Sequence, residues 1–262
     1  MKNSEIISPI IIEAGNIMLG AHDISKDIKE KPGSANYVTA YDVAVENFLI
    51  EKLSAAFPDA KFIGEEHEST HGKVEQKGRY FIIDPIDGTT NFIHGYRHSC
   101  ISIALLEDGK VISGVVFNPY QNELFTADLG KGAFLNGEAI HVSERELSQA
   151  LVIFGTSPYN PELFDKTIKT VERAYKNCRD VRRDGSAALN MAYIAAGRGD
   201  VYFEYVLSPW DFAAGYLLIK EAGGIVTDID GNDLTFDKPS TMLASNISAR
   251  NEFVKICLLS KN

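Results

Sequence analysis

Apolar residues return at Ile10, Ala14, Ile17 and Met18, a helical spacing, between Ser8-Pro9 and Gly20. Ser8 is read as the N-cap of that helix and Pro9 as its first residue. A second stripe, Val45, Leu49, Leu53 and Ala56, follows Thr39 and Asp42 and stops at Pro58-Asp59. Thr39 and Asp42 have the spacing of a capping box. Between the two helices, residues 27–36 are polar and contain Pro32-Gly33-Ser34, the composition of a mobile loop.

The pattern then changes. Lys61-Phe62-Ile63 and Tyr80-Phe81-Ile82-Ile83 are short apolar runs, expected as strands. Residues 99–106 and 111–117 flank Glu107-Asp108-Gly109-Lys110, a hairpin turn, and residues 122–127 continue the series. Tight turns predict antiparallel pairing. Beyond residue 145 the types alternate. Strands are expected at 151–154, 201–205, 225–229 and 242–245, and helices at 161–177, 186–196, 212–222 and 249–259. Residues 1–145 are therefore expected to form an α+β half with an antiparallel sheet, and residues 146–262 an α/β half.

Charge and cysteine content narrow the function. A formal net charge of −10 over 262 residues disfavours a general nucleic-acid binder, which needs a basic face. A small anionic substrate stays open, because a bound cation reverses the local sign. Cys100, Cys178 and Cys257 are odd in number and widely spaced, so no disulfide framework is expected and a cytoplasmic location is. The run Ile10-Ile11-Ile12 is too short and interrupted for a membrane span.

Candidate chemistry centres on Asp84-Pro85-Ile86-Asp87-Gly88-Thr89-Thr90-Asn91-Phe92, directly after a strand. Asp84 would stand at the strand tip and Asp87 near the cap of a following helix. Paired carboxylates suit a hard cation, and amides at a helix start suit a phosphate. An N-capped turn explains the same residues if they are taken alone. Gly64-Glu65-Glu66 would likewise be a solvated pair, and Asp211 in Pro209-Trp210-Asp211 a simple N-cap.

Taken together, these segments resemble the inositol monophosphatase family of magnesium-dependent, lithium-sensitive phosphatases. The likeness extends to Trp210-Asp211-x-Ala213-Ala214-Gly215 with Glu221-Ala222-Gly223-Gly224. It also takes in Val38-Thr39-x-x-Asp42, Gly130-x-Gly132-Ala133-Phe134-x-Asn136-Gly137 and Gly185-Ser186-Ala187-Ala188-Leu189-Asn190-Met191. It implies a layered αβαβα sandwich and two to three Mg²⁺ ions. Glu65, Asp84 and the Ile86 carbonyl would hold the first ion, and Asp84, Asp87 and Asp211 the second. Glu65 would face a third through waters, with Glu66 and Lys31 in support. Thr89 and Asp42 would help deprotonate the attacking water. Gly88 and Thr89 would bind the phosphate by their amides.

The resemblance places Gly185, Ser186 and Ala187 along the substrate pocket and Glu204 on the hydroxyls of inositol. Read from its strand alone, Glu204 is equally an exposed residue. Inositol-1-phosphate or a similar polyol phosphate is the leading substrate. Fructose-1,6-bisphosphate, a 3′-phosphonucleotide, NADP and histidinol phosphate share the same metal chemistry. An inactive metal- or partner-binding homologue is the non-enzymatic alternative. A homodimer is expected, and neither nucleic acid nor a membrane as partner. Asp184, beside Arg182-Arg183, would either change the pocket's charge or form an ion pair. His94 and His98 are expected to be packing or surface residues, and Trp210 to pack so that it aims Asp211. Arg97 stands where relatives often have proline.

Overall fold

In the computed structural model, which describes residues 2–22, 29–30, 37–66 and 77–259, the first helix is longer than its punctuation predicts. Helix α1 (Asn3–Leu19) begins before Ser8 and encloses Pro9. The Ser8 hydroxyl donates to the Ser4 carbonyl at 2.6 Å and so does not cap. Pro9 gives up one helical hydrogen bond, but Ile7, Ile11, Ala14 and Met18 are all buried against the rest of the protein. Burial of that stripe, at roughly 1.5–3 kcal/mol per large side chain, outweighs the missing bond. Strand β1 (Lys29–Glu30) pairs antiparallel with β2 (Tyr37–Val38), so part of the expected loop is a ribbon. Lys31 lies outside the described residues. Helix α2 (Ala40–Ala56) starts with the expected capping box on Thr39 and Asp42.

The first sheet has seven strands in chain order: β3 (Ala60–Gly64), β4 (Arg79–Asp87), β5 (Cys100–Glu107), β6 (Lys110–Asn118), β7 (Glu123–Asp128), β8 (Ala133–Leu135) and β9 (Glu138–Ile140). Only β3 and β4 run parallel. Asp108 and Gly109 both have positive φ at the β5–β6 turn, which matches the right-handed twist of the flanking strands. The last two strands were not among those expected. They meet at Asn136-Gly137, again both with positive φ.

Helix α3 (Thr89–Ile93) follows β4. The second sheet comprises β10 (Leu151–Phe154), β11 (Asp180–Arg182), β12 (Val201–Leu207), β13 (Ile225–Thr227) and β14 (Ser240–Ser245), in the order β11-β10-β12-β14-β13. Its helices are α4 (Phe164–Asn177), α5 (Ala187–Ala195), α6 (Pro209–Glu221) and α7 (Ile247–Phe253).

Strand alternation assigns the layers. Phe81 and Ile83 pack with α1 and α2, whereas Tyr80 and Ile82 pack with α5 and α6. Tyr202 faces α5 and α6 from the second sheet, whereas Val201, Phe203 and Tyr205 face α7 on its other side. The result is an αβαβα sandwich with α5 and α6 as the middle layer. Residue 145, the expected boundary, lies between the sheets, but the central helices share one core with both.

Candidate metal and phosphate site

The site begins with a defect in β4. Asp84 pairs with Ser102, and Asp87 pairs with Cys100, so three steps on β4 match two on β5. Residues three apart point to opposite faces of a regular strand. The extra residue cancels that and brings both aspartates to one side, as a β-bulge does. The Ile86 amide donates to Asp84 Oδ1 at 3.1 Å within the bulge. The chain then turns at Gly88, whose φ of 91° admits no ordinary side chain, before α3.

Asp87 does not cap α3, as its position had suggested. Its carboxylate reaches the first residues of α5, a hundred residues away. It accepts from Ser186 Oγ at 2.5 Å, Ala188 N at 2.7 Å and Ala187 N at 3.2 Å. Those amides would otherwise lack partners. Asp211 does double duty. It completes a capping box on α6 through Ser208 N at 2.7 Å, and it contributes an oxygen to the cluster. Asp84, Asp87 and Asp211 each offer an oxygen, all within 4.8 Å of one another. Beside them, Thr89 Oγ1 lies 3.3 Å from Asp42 Oδ1 and 3.1 Å from the Ile86 carbonyl. Asp42 is held by Thr39 through its amide (2.8 Å) and hydroxyl (2.5 Å).

Packing so many carboxylates together disfavours their charged forms. Burial pushes Asp42 up to about 6, against the hydrogen bonds from Thr39. Burial likewise raises Asp87 to about 6, with Ser186, Ala188 and Ala187 opposing it. Asp84 goes well above the usual carboxylate range through burial, then the charges of Glu65, Asp87 and Asp211. Asp211 rises through burial, then Asp87 and Glu65. Divalent cations remove that repulsion, and an all-oxygen donor set suits a hard ion. The residues present fit such an ion.

Asp84, Asp87, Thr89 and Asp211 line a cleft of about 240 Å³ together with Glu65, Ile86, Gly88, Gly185, Ser186, Ala187 and Glu204. Glu66 is set back from it, and its amide donates to Glu46 Oε2 at 2.9 Å. Buried Glu46 under the Gly64–Glu66 turn was not anticipated, although its spacing of four from Asp42 puts both on one face of α2. Glu204 is not an exposed strand residue: 7% of it is accessible. It accepts from Tyr202 Oη at 2.6 Å and Ser157 N at 2.8 Å, and burial raises its pKa. Tyr202 and Glu204 are two apart on one strand, so their common face was legible. Ser157 and Gly155 gave no such signal. A Cβ at Gly155 would lie 1.8 Å from the Glu204 carboxylate.

Asp184 does not line the cleft, and Arg182 pairs instead with Asp180 at 2.6 Å. The Asp184 carbonyl and that of His98 both accept from Asn91 Nδ2 at 2.7 Å, which ties α3 to the chain leading into α5. His94 is exposed, and His98 packs edge-on against Tyr193. Arg97 has a φ of 50°, which proline cannot adopt. Trp210 packs on the central core, and its carbonyl accepts from Ser102. Glu221 accepts from the Gly130 and Gly132 amides at 2.8 and 2.7 Å. That contact gives two of the remote glycine and glutamate motifs one structural purpose.

Comparison with known proteins agrees with this geometry. The model of the inositol monophosphatase family matches residues 3–259. The chain is 41% identical over 231 residues to a fructose-1,6-bisphosphatase/inositol-1-monophosphatase of Thermotoga maritima, covering 88% of this chain and 86% of the relative. It is 39% identical over 251 residues to the Nus factor SuhB of Escherichia coli, covering 95% and 91%. The crystal structure of the extragenic suppressor protein suhB from Bartonella henselae superposes with a TM-score of 0.89 at 34% identity, covering 98% of each chain. The chain belongs to the inositol monophosphatase family.

Proposed function

We propose that the protein is a Mg²⁺-dependent phosphomonoesterase that acts on inositol-1-phosphate or a similar small polyol phosphate. The observation that carries this reading is the convergence of Asp84, Asp87 and Asp211 within 4.8 Å beside the Thr89–Asp42 pair. Asp84, Asp87 and Asp211 would hold one ion, and Glu65, Asp84 and the Ile86 carbonyl another. When bound, such ions neutralise phosphate charge and make a water easier to deprotonate.

The chain's own residues account for the rest. Thr89 Oγ1 stands between two acceptors, Asp42 Oδ1 and the Ile86 carbonyl. A carboxyl titrating near 6 is charged at neutral pH and can draw a proton through the threonine hydroxyl. Gly88 and Thr89 line the cleft next to the carboxylates and would hold the phosphate by their amides. Glu204 offers acceptors to substrate hydroxyls. Three free cysteines suit a reducing cytoplasm, and among the described residues no helix is long and apolar enough to cross a membrane. A homodimer is part of this reading and is checked by light scattering.

The test is a substrate panel with Mg²⁺, with and without Li⁺: inositol-1-phosphate, fructose-1,6-bisphosphate, a 3′-phosphonucleotide, NADP, histidinol phosphate and a generic ester. Much slower hydrolysis of inositol-1-phosphate than of another member would remove it as leading substrate. A relative named as a Nus factor keeps a second, partner-binding reading in view. Absence of phosphate release from every compound between pH about 7 and 9 would remove the phosphatase reading and revive that one.

A further inference from the structure

Helix α2 carries two buried carboxylates one turn apart, and the proposed chemistry uses one of them. Asp42 reaches Thr89. Glu46 is fully buried and stands four residues on, so both lie on the same face of the helix. Leu49 and Leu53, three and seven residues beyond Glu46, are buried on that side too. A leucine would suit the position of Glu46. A carboxylate there loses its hydration, at a cost that good partners must offset.

Its oxygens are directed at one short piece of chain. The Glu66 amide donates to Glu46 Oε2 at 2.9 Å. A Cβ at Gly64 would fall 2.0 Å from Glu46 Oε1, so a bare α-carbon lets the carboxylate lie beneath the turn. Glu65, the residue between them, lines the cleft. That turn sits where the sheet holds it least. Strand β3 is an edge strand, with β4 as its neighbour among the described residues. Gly64 is opposite Ile83, so Glu65 leaves β3 level with Asp84. Pairing with β4 thus sets how far along the sheet Glu65 stands. The contact from α2 fixes the free side of the strand end.

We infer that Glu46 is a positioning residue. It acts through the backbone of Gly64 and Glu66 to hold Glu65 at the carboxylate cluster, and so secures the ion that Glu65 and Asp84 would share. The inference rests on the metal-dependent reading given above. One helix then serves both parts of the site, with Asp42 set on Thr89 and Glu46 set under Glu65.

Mg²⁺ binding would be measured by calorimetry, without any ester, on wild type, E46L, E46Q, G64A, E65Q and the double variant E46L/E65Q. E46L fills the space and extends the apolar stripe, but gives the Glu66 amide no acceptor. G64A pushes the Glu46 carboxylate aside without removing it. Both are expected to weaken Mg²⁺ binding by about tenfold or more, the usual cost of removing a support behind a metal ligand. E46Q keeps an acceptor for the Glu66 amide and should stay close to wild type. In the E65Q background E46L should add less than about twofold, because the group it positions is already gone. Equal losses from E46L in both backgrounds would overturn the inference, since Glu46 would then act on the fold and not through Glu65. So would wild-type binding by E46L and G64A, or a loss in E46Q as large as that in E46L. Should E46L fail to fold, G64A in the same two backgrounds gives the same reading. Calorimetry needs no turnover, so wild type that binds Mg²⁺ without hydrolysing inositol-1-phosphate would remove the phosphatase reading alone. Wild type that binds no Mg²⁺ would overturn both.

Discussion

The buried carboxylates make the metal-free protein sensitive to pH in a direction opposite to ordinary acid denaturation. Burial pushes Asp42 up to about 6 in the fold, from 3.8 in an unfolded chain, and Asp87 likewise. The folded state therefore binds more protons than the unfolded chain between those values, and stability falls as pH rises through them. Each group carries about 3 kcal/mol over the full span, since one pKa unit is about 1.36 kcal/mol. Roughly half of that per group falls between pH 5 and 7.5. Asp84, Asp211 and Glu204 are raised too and push the same way. Asp42 and Asp87 alone should lower the melting temperature by roughly 6–12 °C over this interval, at about 2–4 °C per kcal/mol for a domain of this size. Divalent cations should reverse it at neutral pH, with an ion at a hundred times its Kd restoring about 2.7 kcal/mol. The assay is a set of thermal melts in EDTA from pH 5 to 7.5, repeated with Mg²⁺. A melting temperature that is flat or rises with pH in EDTA, or that Mg²⁺ leaves unmoved at pH 7.5, would refute the electrostatic reasoning.

Asp87→Asn should abolish Mg²⁺-dependent turnover and remove most of the Mg²⁺-induced rise in melting temperature. Its metal-free stability should change little, because relief of the buried charge offsets about 1–3 kcal/mol of lost acceptor bonds from Ser186 and Ala188; a large fall in the EDTA melt would show that capping of α5 dominates. Tyr202→Phe removes a 2.6 Å donor from Glu204, which raises the Glu204 carboxyl further. KM for inositol-1-phosphate should rise by about tenfold, and the weakening of binding on acidification should begin at higher pH than in wild type; pH profiles of KM and kcat test this. Asp200 is fully buried and accepts from Leu151 N at 2.6 Å, Arg145 Nε at 3.0 Å and Ser143. Asp200→Ala should destabilise by about 3–5 kcal/mol through those orphaned donors, measured by urea unfolding.

Local chemistry was readable wherever the responsible residues are neighbours. The Thr39–Asp42 box and the Asp108-Gly109 turn each need only a few adjacent residues, whereas α6 begins at Pro209 behind the cap Ser208, three residues before the helix expected from Phe212, and Asp211 stands inside its first turn. Asn136-Gly137 carried the same kind of signal, but strands of three residues are too short to show an alternation. Pro9 misled because its local rule lost to burial of Ile7 and Ile11, a tertiary effect.

By itself, then, the sequence determined which residues carry charge, where the chain turns, and, through the resemblance of its motifs, which carboxylates belong together. Tertiary structure decided how they act. The slip between β4 and β5 puts Asp84 and Asp87 on one face. Asp87 is oriented by amides a hundred residues downstream, and Glu204 is turned from a strand residue into a buried acceptor by Tyr202 and Ser157. Hydrogen-bond geometry and desolvation depend on distance in space, and a strand's register or a helix's docking sets those distances between segments that the sequence keeps far apart.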